Sequence, residues 1–226
     1  MSKQEYDMRF KEGATHIICG PSESGKTSRL CSILKLKNQI IENGENTKNI
    51  VYYYSVWQSE YDKLNEVFNN VQWINKMPTN EEYVDRIKDH PRSICVIDDF
   101  QTEINNELVK IVTVSTRHYN SSCFILLQSL FPPNKLARTV SLNAKYIHIF
   151  KTPRDLSNLN YLARQLRPFN YRWIIDVYHE VTKNPYSCFL IDVRPNTEEY
   201  LRFRSSYLPN EFPMTVWNPK GQQIPP

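Results

Sequence analysis

Two rhythms of apolar and polar residues alternate along this chain. Short, nearly unbroken apolar runs are separated by longer stretches with helical spacing. Thr15-His16-Ile17-Ile18-Cys19, Ile50-Val51-Tyr52-Tyr53-Tyr54-Ser55, Val71-Gln72-Trp73-Ile74, Ser93-Ile94-Cys95-Val96-Ile97 and residues 123–127, 144–150 and 188–193 read as strands. Runs this short, rich in β-branched and aromatic residues, suit strands covered on both faces. Residues 28–41 place Leu30, Ile33, Leu34, Leu36, Ile40 and Ile41 at helical spacing. Helices are also expected over residues 59–68, 104–114 and 156–166. Another should open at Thr79-Asn80-Glu81-Glu82, where a capping residue precedes first-turn acids. This alternation predicts an α/β fold with a mostly parallel central sheet flanked by helices.

From residue 205 the pattern breaks. Pro209, Pro213, Pro219, Pro225 and Pro226 crowd the last 22 residues. The expectation is a domain over residues 1–204 and an extended proline-rich tail over 205–226. At 226 residues the chain is long enough for one domain with a sizeable core. Met1-Ser2-Lys3-Gln4-Glu5 lacks the apolar segment of a secretory leader, and no run approaches the ~18 apolar residues of a membrane span. Cys19, Cys31, Cys95, Cys123 and Cys188 are odd in number and form no C-x-x-C pair. Buried thiols in a reducing compartment are expected, rather than disulfides or zinc ligands.

The chemistry concentrates in one loop. Gly20-Pro21-Ser22-Glu23-Ser24-Gly25-Lys26-Thr27 fits G-x-x-x-x-G-K-[ST], the phosphate-binding loop of nucleoside triphosphatases. Glycines let backbone N–H groups approach phosphate oxygens closely. Lys26 would reach the β- and γ-phosphates of ATP, and the Thr27 hydroxyl would hold Mg²⁺. The expected strand before the loop and helix after it are the context this motif requires. A second element is needed, a carboxylate at the end of a buried strand, and Ile94-Cys95-Val96-Ile97-Asp98-Asp99 supplies it. Asp98 would order the metal shell. Asp99 would polarise the attacking water or, alternatively, cap the next helix. A GTPase is disfavoured, because no D-x-x-G follows this strand and no N-K-x-D occurs.

Thr116-Arg117-His118-Tyr119-Asn120, followed by the strand Ser122-Cys123-Phe124-Ile125-Leu126-Leu127 and then Gln128, extends the pattern. Together with the loop, the Asp98-Asp99 pair and Lys151-Thr152-Pro153-Arg154-Asp155, it resembles the genome-packaging ATPases of the poxvirus A32-like group. These belong to the FtsK–HerA class of DNA pumps. The versions in polinton-type and adintovirus-like elements are the most similar, and the likeness covers about residues 10–165. The resemblance implies a P-loop NTPase fold of the RecA/FtsK–HerA kind. It implies that Gln128 senses the γ-phosphate, although a polar residue merely finishing a strand end is the simpler alternative. It implies that Arg117 is an arginine finger acting on a neighbouring subunit's site. An ordinary helix-end arginine is the alternative, and Arg138 and Arg154 are rivals for the role. His118 is expected to be packed or hydrogen-bonded, and Tyr52, Tyr53 and Tyr54 to belong to the core rather than to stack on bases.

The resemblance further implies an ATP-driven translocase of double-stranded DNA, working as a homo-oligomeric ring against a capsid or portal-vertex protein. It would act in the virion or the host-cell interior. An ATP-gated assembly or scaffold protein and a small-molecule P-loop kinase are the alternatives. Residues 1–130 hold 15 Lys/Arg against 17 Asp/Glu, whereas residues 131–204 hold 12 against 6. A basic second half suits a polyanion track or a plain solvated surface. Lys135, Arg138, Lys145 and Arg164 are the candidate DNA-gripping residues there.

Overall fold

The computed structural model describes residues 6–211 and 213–219. In chain order it contains β1 (Thr15–Cys19), α1 (Lys26–Lys35), α2 (Lys37–Ile40), β2 (Ile50–Tyr54), α3 (Ser59–Asn65), β3 (Val71–Ile74) and α4 (Asn80–Ile87). There follow β4 (Ile94–Asp98), α5 (Asn106–Lys110), a π-helical turn (Ile111–Ser115), α6 (Thr116–His118), β5 (Ser122–Leu127), α7 (Lys135–Asn143) and β6 (Tyr146–Phe150). The last elements are α8 (Leu156–Leu166), α9 (Tyr171–Val181), β7 (Cys188–Asp192), β8 (Phe203–Ser205) and β9 (Thr215–Trp217).

All nine strands join one sheet in the order β3-β2-β4-β5-β1-β6-β7-β8-β9. The first six of that order pair in parallel, and β7 to β9 add an antiparallel margin. β5 therefore lies between β1 and β4. The phosphate loop, Asp98 and Gln128 all follow neighbouring strands at the same end of the sheet, where ligands of open α/β sheets collect.

The unbroken apolar runs resolve into a period of two. Ile17, Cys19, Val51, Tyr53, Cys95, Ile97, Cys123, Ile125 and Leu127 face one apolar layer, which includes Leu108, Leu159, Ile174 and Val177 of α5, α8 and α9. Ile18, Tyr52, Ile94, Val96, Phe124 and Leu126 face the other, with Leu30, Ile33 and Leu34 of α1 and Tyr61 and Leu64 of α3. Leu30, Ile33 and Leu34 share one face of α1 because residues three and four apart align. Both Ile33 and Leu34 are fully buried. Truncating either to Ala would cost about 2–5 kcal/mol.

Several expectations shift. The helix expected over residues 28–41 breaks at Leu36, where Lys37 turns inward and its ammonium donates to Gly44 O at 2.7 Å. The helix expected over 104–114 starts at Asn106, with the Asn105 side chain accepting from Glu107 N and Leu108 N, and passes into the π turn. Thr79 caps α4 in a reciprocal box with Glu82, as its sequence foretells. Helices α7 and α9 fall where the sequence pattern predicts no helix. The boundary drawn between residues 204 and 205 falls inside β8, and β9 lies within the segment expected as a tail. Phe203, Tyr207, Leu208 and Val216 are buried there, so tertiary packing overrides a proline-rich composition. Pro225 and Pro226 lie outside the described residues. Among those residues, no helix is long and apolar enough to cross a membrane.

Candidate functional site

β1 delivers the chain to the loop at the centre of the sheet, and Gly20 N donates to Leu127 O of β5 at 3.1 Å. Each of the loop's two glycines answers a separate constraint. A Cβ on Gly20 would stand 2.6 Å from Ser24 Oγ and 2.7 Å from Phe150 Cβ, distances real side chains do not reach. Gly25 has φ 95°, in the region that glycine adopts most readily, and caps the start of α1. Lys26 Nζ folds back onto two loop carbonyls, Gly20 O at 2.7 Å and Pro21 O at 2.9 Å. Burial pulls the Lys26 ammonium below its ordinary range, while Asp98 opposes that shift. Thr27 Oγ1 donates to Gln58 Oε1 at 3.1 Å.

Asp98 ends β4 on the α1 side of the sheet and is 3% exposed. The hydroxyls of Tyr52 and Tyr61 both donate to its Oδ2, each at 2.8 Å. Its Oδ1 accepts no hydrogen bond among the described residues and is left to the cleft. Burial raises the Asp98 pKa; the two phenols and Lys26 act in the opposite direction. Asp99 follows at φ 64°, in the left-handed region. Its Oδ1 accepts from Gln128 Nε2 at 3.1 Å. Gln101 Oε1 accepts from Gln128 N and Ser129 N at 2.9 and 3.0 Å, which fixes the end of β5. Asp99 does not cap the following turn, where Phe100 holds the cap position without a side-chain bond.

Lys26, Thr27, Asp98, Asp99 and Gln128 thus line one cleft of about 340 Å³, together with Gln58 and Glu60. The cleft fits a metal-bound polyphosphate. Ser24 Oγ is buried in the loop without a hydrogen-bond partner. The Thr27 hydroxyl and the Asp98 carboxylate beside the lysine are oxygen ligands that suit a hard cation such as Mg²⁺, which keeps waters and phosphates in its shell.

Arg117 is not in this cleft. It precedes β5, whose first residue, Ser122, is in register with Ile94 at the start of β4. It therefore lies at the opposite end of the sheet, exposed, beside the π turn. Its guanidinium makes no hydrogen bond or ion pair among the described residues. Arg154 is exposed at the cleft end of the sheet and Arg138 is exposed on α7, but neither lines the cleft. His118, expected to be packed, is exposed; its ring meets the Tyr119 ring edge to face at 4.9 Å, and it lines a pocket with Asn80, Glu81, Val84 and Asp85.

The basic second half is less free than its charge implies. Arg194 and Arg204 both pair with buried Asp192, and Arg167 and Arg202 pair with Glu199. Lys135 and Arg138 remain exposed, Lys145 is half-buried, and Arg164 lies 3.9 Å from the Tyr171 ring centroid.

Sequence reasoning missed Gln58, Gln101 and the roles of Tyr52 and Tyr61. Tyr52 could have been found from strand phase. It is in register with Val96, two residues before Asp98, and therefore shares its face.

No family model matches the sequence, and no curated protein matches it. Solved structures do. EssC from Geobacillus thermodenitrificans, comprising its ATPases 2 and 3, aligns with TM-score 0.51 at 11% identity, over 81% of this chain and 38% of that one. A KaiC-like protein from Pyrococcus horikoshii aligns over 87% of this chain and 86% of that one, at 10% identity and TM-score 0.45. The N-terminal domain of zonular occludens toxin from Neisseria meningitidis aligns over 63% and 79%, at 17% identity and TM-score 0.39. The EssC likeness shows the fold, a large, mostly parallel sheet flanked by helices. The chain spans little more than a third of the EssC chains it matches.

Proposed function

We propose that this chain is an ATP-hydrolysing motor subunit that drives double-stranded DNA, in the service of packaging a viral genome into its capsid. The observation that carries the reading is the convergence of Lys26, Thr27, Asp98, Asp99 and Gln128 on one cleft. The resemblance to A32-like packaging ATPases supplies the DNA and capsid half of it.

Bound Mg-ATP would supply the reactive γ-phosphorus and the metal charge that offsets its transition state. The residues do the rest. Lys26 exchanges the carbonyls of Gly20 and Pro21 for phosphate oxygens. With Gln58 released, Thr27 and the Oδ1 of Asp98 would hold the cation. Asp99 orients and deprotonates water once Gln128 lets go of it, and Gln128 turns its amide to the terminal phosphate. Arg117 of one subunit reaches the cleft of the next within a ring. DNA is held through its phosphates, because packaging cannot depend on sequence. Lys135, Arg138, Lys145 and Arg164 are the candidates for that grip.

One observation favours the ATP-gated assembly reading. The Asp99 carboxylate is engaged by Gln128 and is therefore not free to act as a base. ATP turnover with and without double-stranded DNA, at low and moderate salt, separates the two. A pump shows DNA-stimulated, salt-sensitive hydrolysis that Lys26→Ala abolishes. Tight ATP binding with no turnover under any of these conditions would replace it with the gated reading.

A further inference from the structure

The turn leading into β7 carries an aromatic side chain with no part in the scheme above. Ser187 N donates to Asn184 O at 3.4 Å, closing the turn Asn184-Pro185-Tyr186-Ser187. In a type II turn, where proline is common second, the third residue takes positive φ, and glycine is its usual occupant. Tyr186 stands there instead, at φ 63°. A bulky residue in that region is strained, and such strain gathers at functional sites. Burial does not offset it, because Tyr186 is 67% exposed.

Two contacts fix its position. Arg29 of α1 donates Nη2 to Tyr186 O at 3.4 Å. A Cβ built on Gly25 would lie 3.1 Å from Tyr186 Cδ1, so the ring rests against the second glycine of the phosphate loop. That contact is on the β6–β7 flank of β1, whereas Asp98, Asp99 and Gln128 close the β4–β5 flank. A triphosphate whose terminal phosphate faces those three residues directs its nucleoside the other way, past the start of α1 and toward Tyr186.

We propose that Tyr186 is the stacking platform for the purine base of the bound nucleotide, a role that rests on the nucleotide reading of the cleft. Stacking uses the π-face that every base has, so ATP and GTP gain from it alike. The backbone strain is then the cost of placing a ring where glycine would fold more easily.

Titration of the full chain with Mg-ATP and with magnesium tripolyphosphate, which shares the phosphates and lacks the base, tests this. Tyr186→Ala is expected to weaken ATP and GTP by about tenfold and to leave tripolyphosphate unchanged. Tyr186→Phe keeps wild-type affinity for all three. Tyr186→Gly loses the same affinity as Tyr186→Ala yet melts at a higher temperature than that variant, because only glycine relieves the positive φ. An unchanged ATP affinity in Tyr186→Ala, or an equal loss for tripolyphosphate, overturns the stacking role while the phosphate site stands. Wild-type protein that binds neither ligand overturns the nucleotide reading and the stacking role with it.

Discussion

The two ends of the parallel sheet are finished differently. At the C-terminal ends of β1, β4 and β5 every candidate catalytic side chain already has a partner in its own chain. Lys26 holds loop carbonyls, Thr27 holds Gln58, Asp98 holds two tyrosines, and Asp99 and Gln128 hold each other. At the N-terminal ends Arg117 is exposed and makes no side-chain bond among the described residues, and Val114, one turn before it, is 61% exposed. The first end is assembled within a single molecule, and on the proposed reading its side chains exchange these partners for the nucleotide. The second, on the proposed reading, is completed only by another subunit.

Arg117→Ala tests that contrast most severely. Turnover should fall by about 10³–10⁵ while nucleotide affinity stays intact. Mixing this variant with Lys26→Ala should restore part of the activity at mixed interfaces. Loss of affinity alongside rate, or no rescue, would mean that the two ends do not meet. Lys26→Ala strikes the other end, where a loss of about 10²–10³ in kcat is expected together with weakened nucleotide binding. Retention of full affinity would detach the loop from the phosphates.

A milder change separates the carboxylate from its supports. Each tyrosine hydroxyl favours the ionised form of Asp98, so Tyr52→Phe with Tyr61→Phe should raise its pKa further. The acid limb of the ATPase pH profile then moves to higher pH, and the affinity for Mg²⁺ falls by about tenfold, the scale of one hydrogen bond to a charged group. An unmoved acid limb would show that neither hydroxyl positions Asp98.

A further test concerns the framework between the two ends. His16 and His148 are fully buried on neighbouring strands, 3.2 Å apart, with Tyr207 on the far nitrogen of His148 at 2.7 Å. Burial pushes His148 down to about 3 and His16 well below its ordinary range. Between about pH 6.5 and 3 the unfolded chain binds protons that the folded chain refuses, so stability falls as pH falls through that window. The slope is about 1.4 kcal/mol per pH unit for each histidine once its unfolded form is protonated. Urea midpoints at pH 7, 6 and 5 measure it, and a flat profile would contradict neutral buried imidazoles.

Much of the cleft was legible because its signals are local. A glycine-framed loop after one strand and a carboxylate pair after another are written in consecutive residues, and Gln128 follows an apolar run. The supports were not legible, because they depend on phase and crossing. Tyr52 and Tyr53 look equivalent in sequence, yet only Tyr52 shares a face with Asp98. Gln58 and Gln101 gain meaning only when a loop from elsewhere arrives. The π turn before Arg117 left no mark in a stretch that reads as ordinary helix. The last two strands, three residues each within a proline-rich segment, were masked because their formation comes from packing on β7, not from their own propensity.

The five cysteines have a practical consequence. None is more than 7% exposed, and burial pushes Cys95 up to about 12 and Cys31 and Cys188 up to about 11. Thiolate is the reactive form, so an intact molecule should resist alkylation at neutral pH and react only when it opens. The kinetics of mass gain in a maleimide solution would then report how often the native structure comes apart, with no engineered cysteine needed.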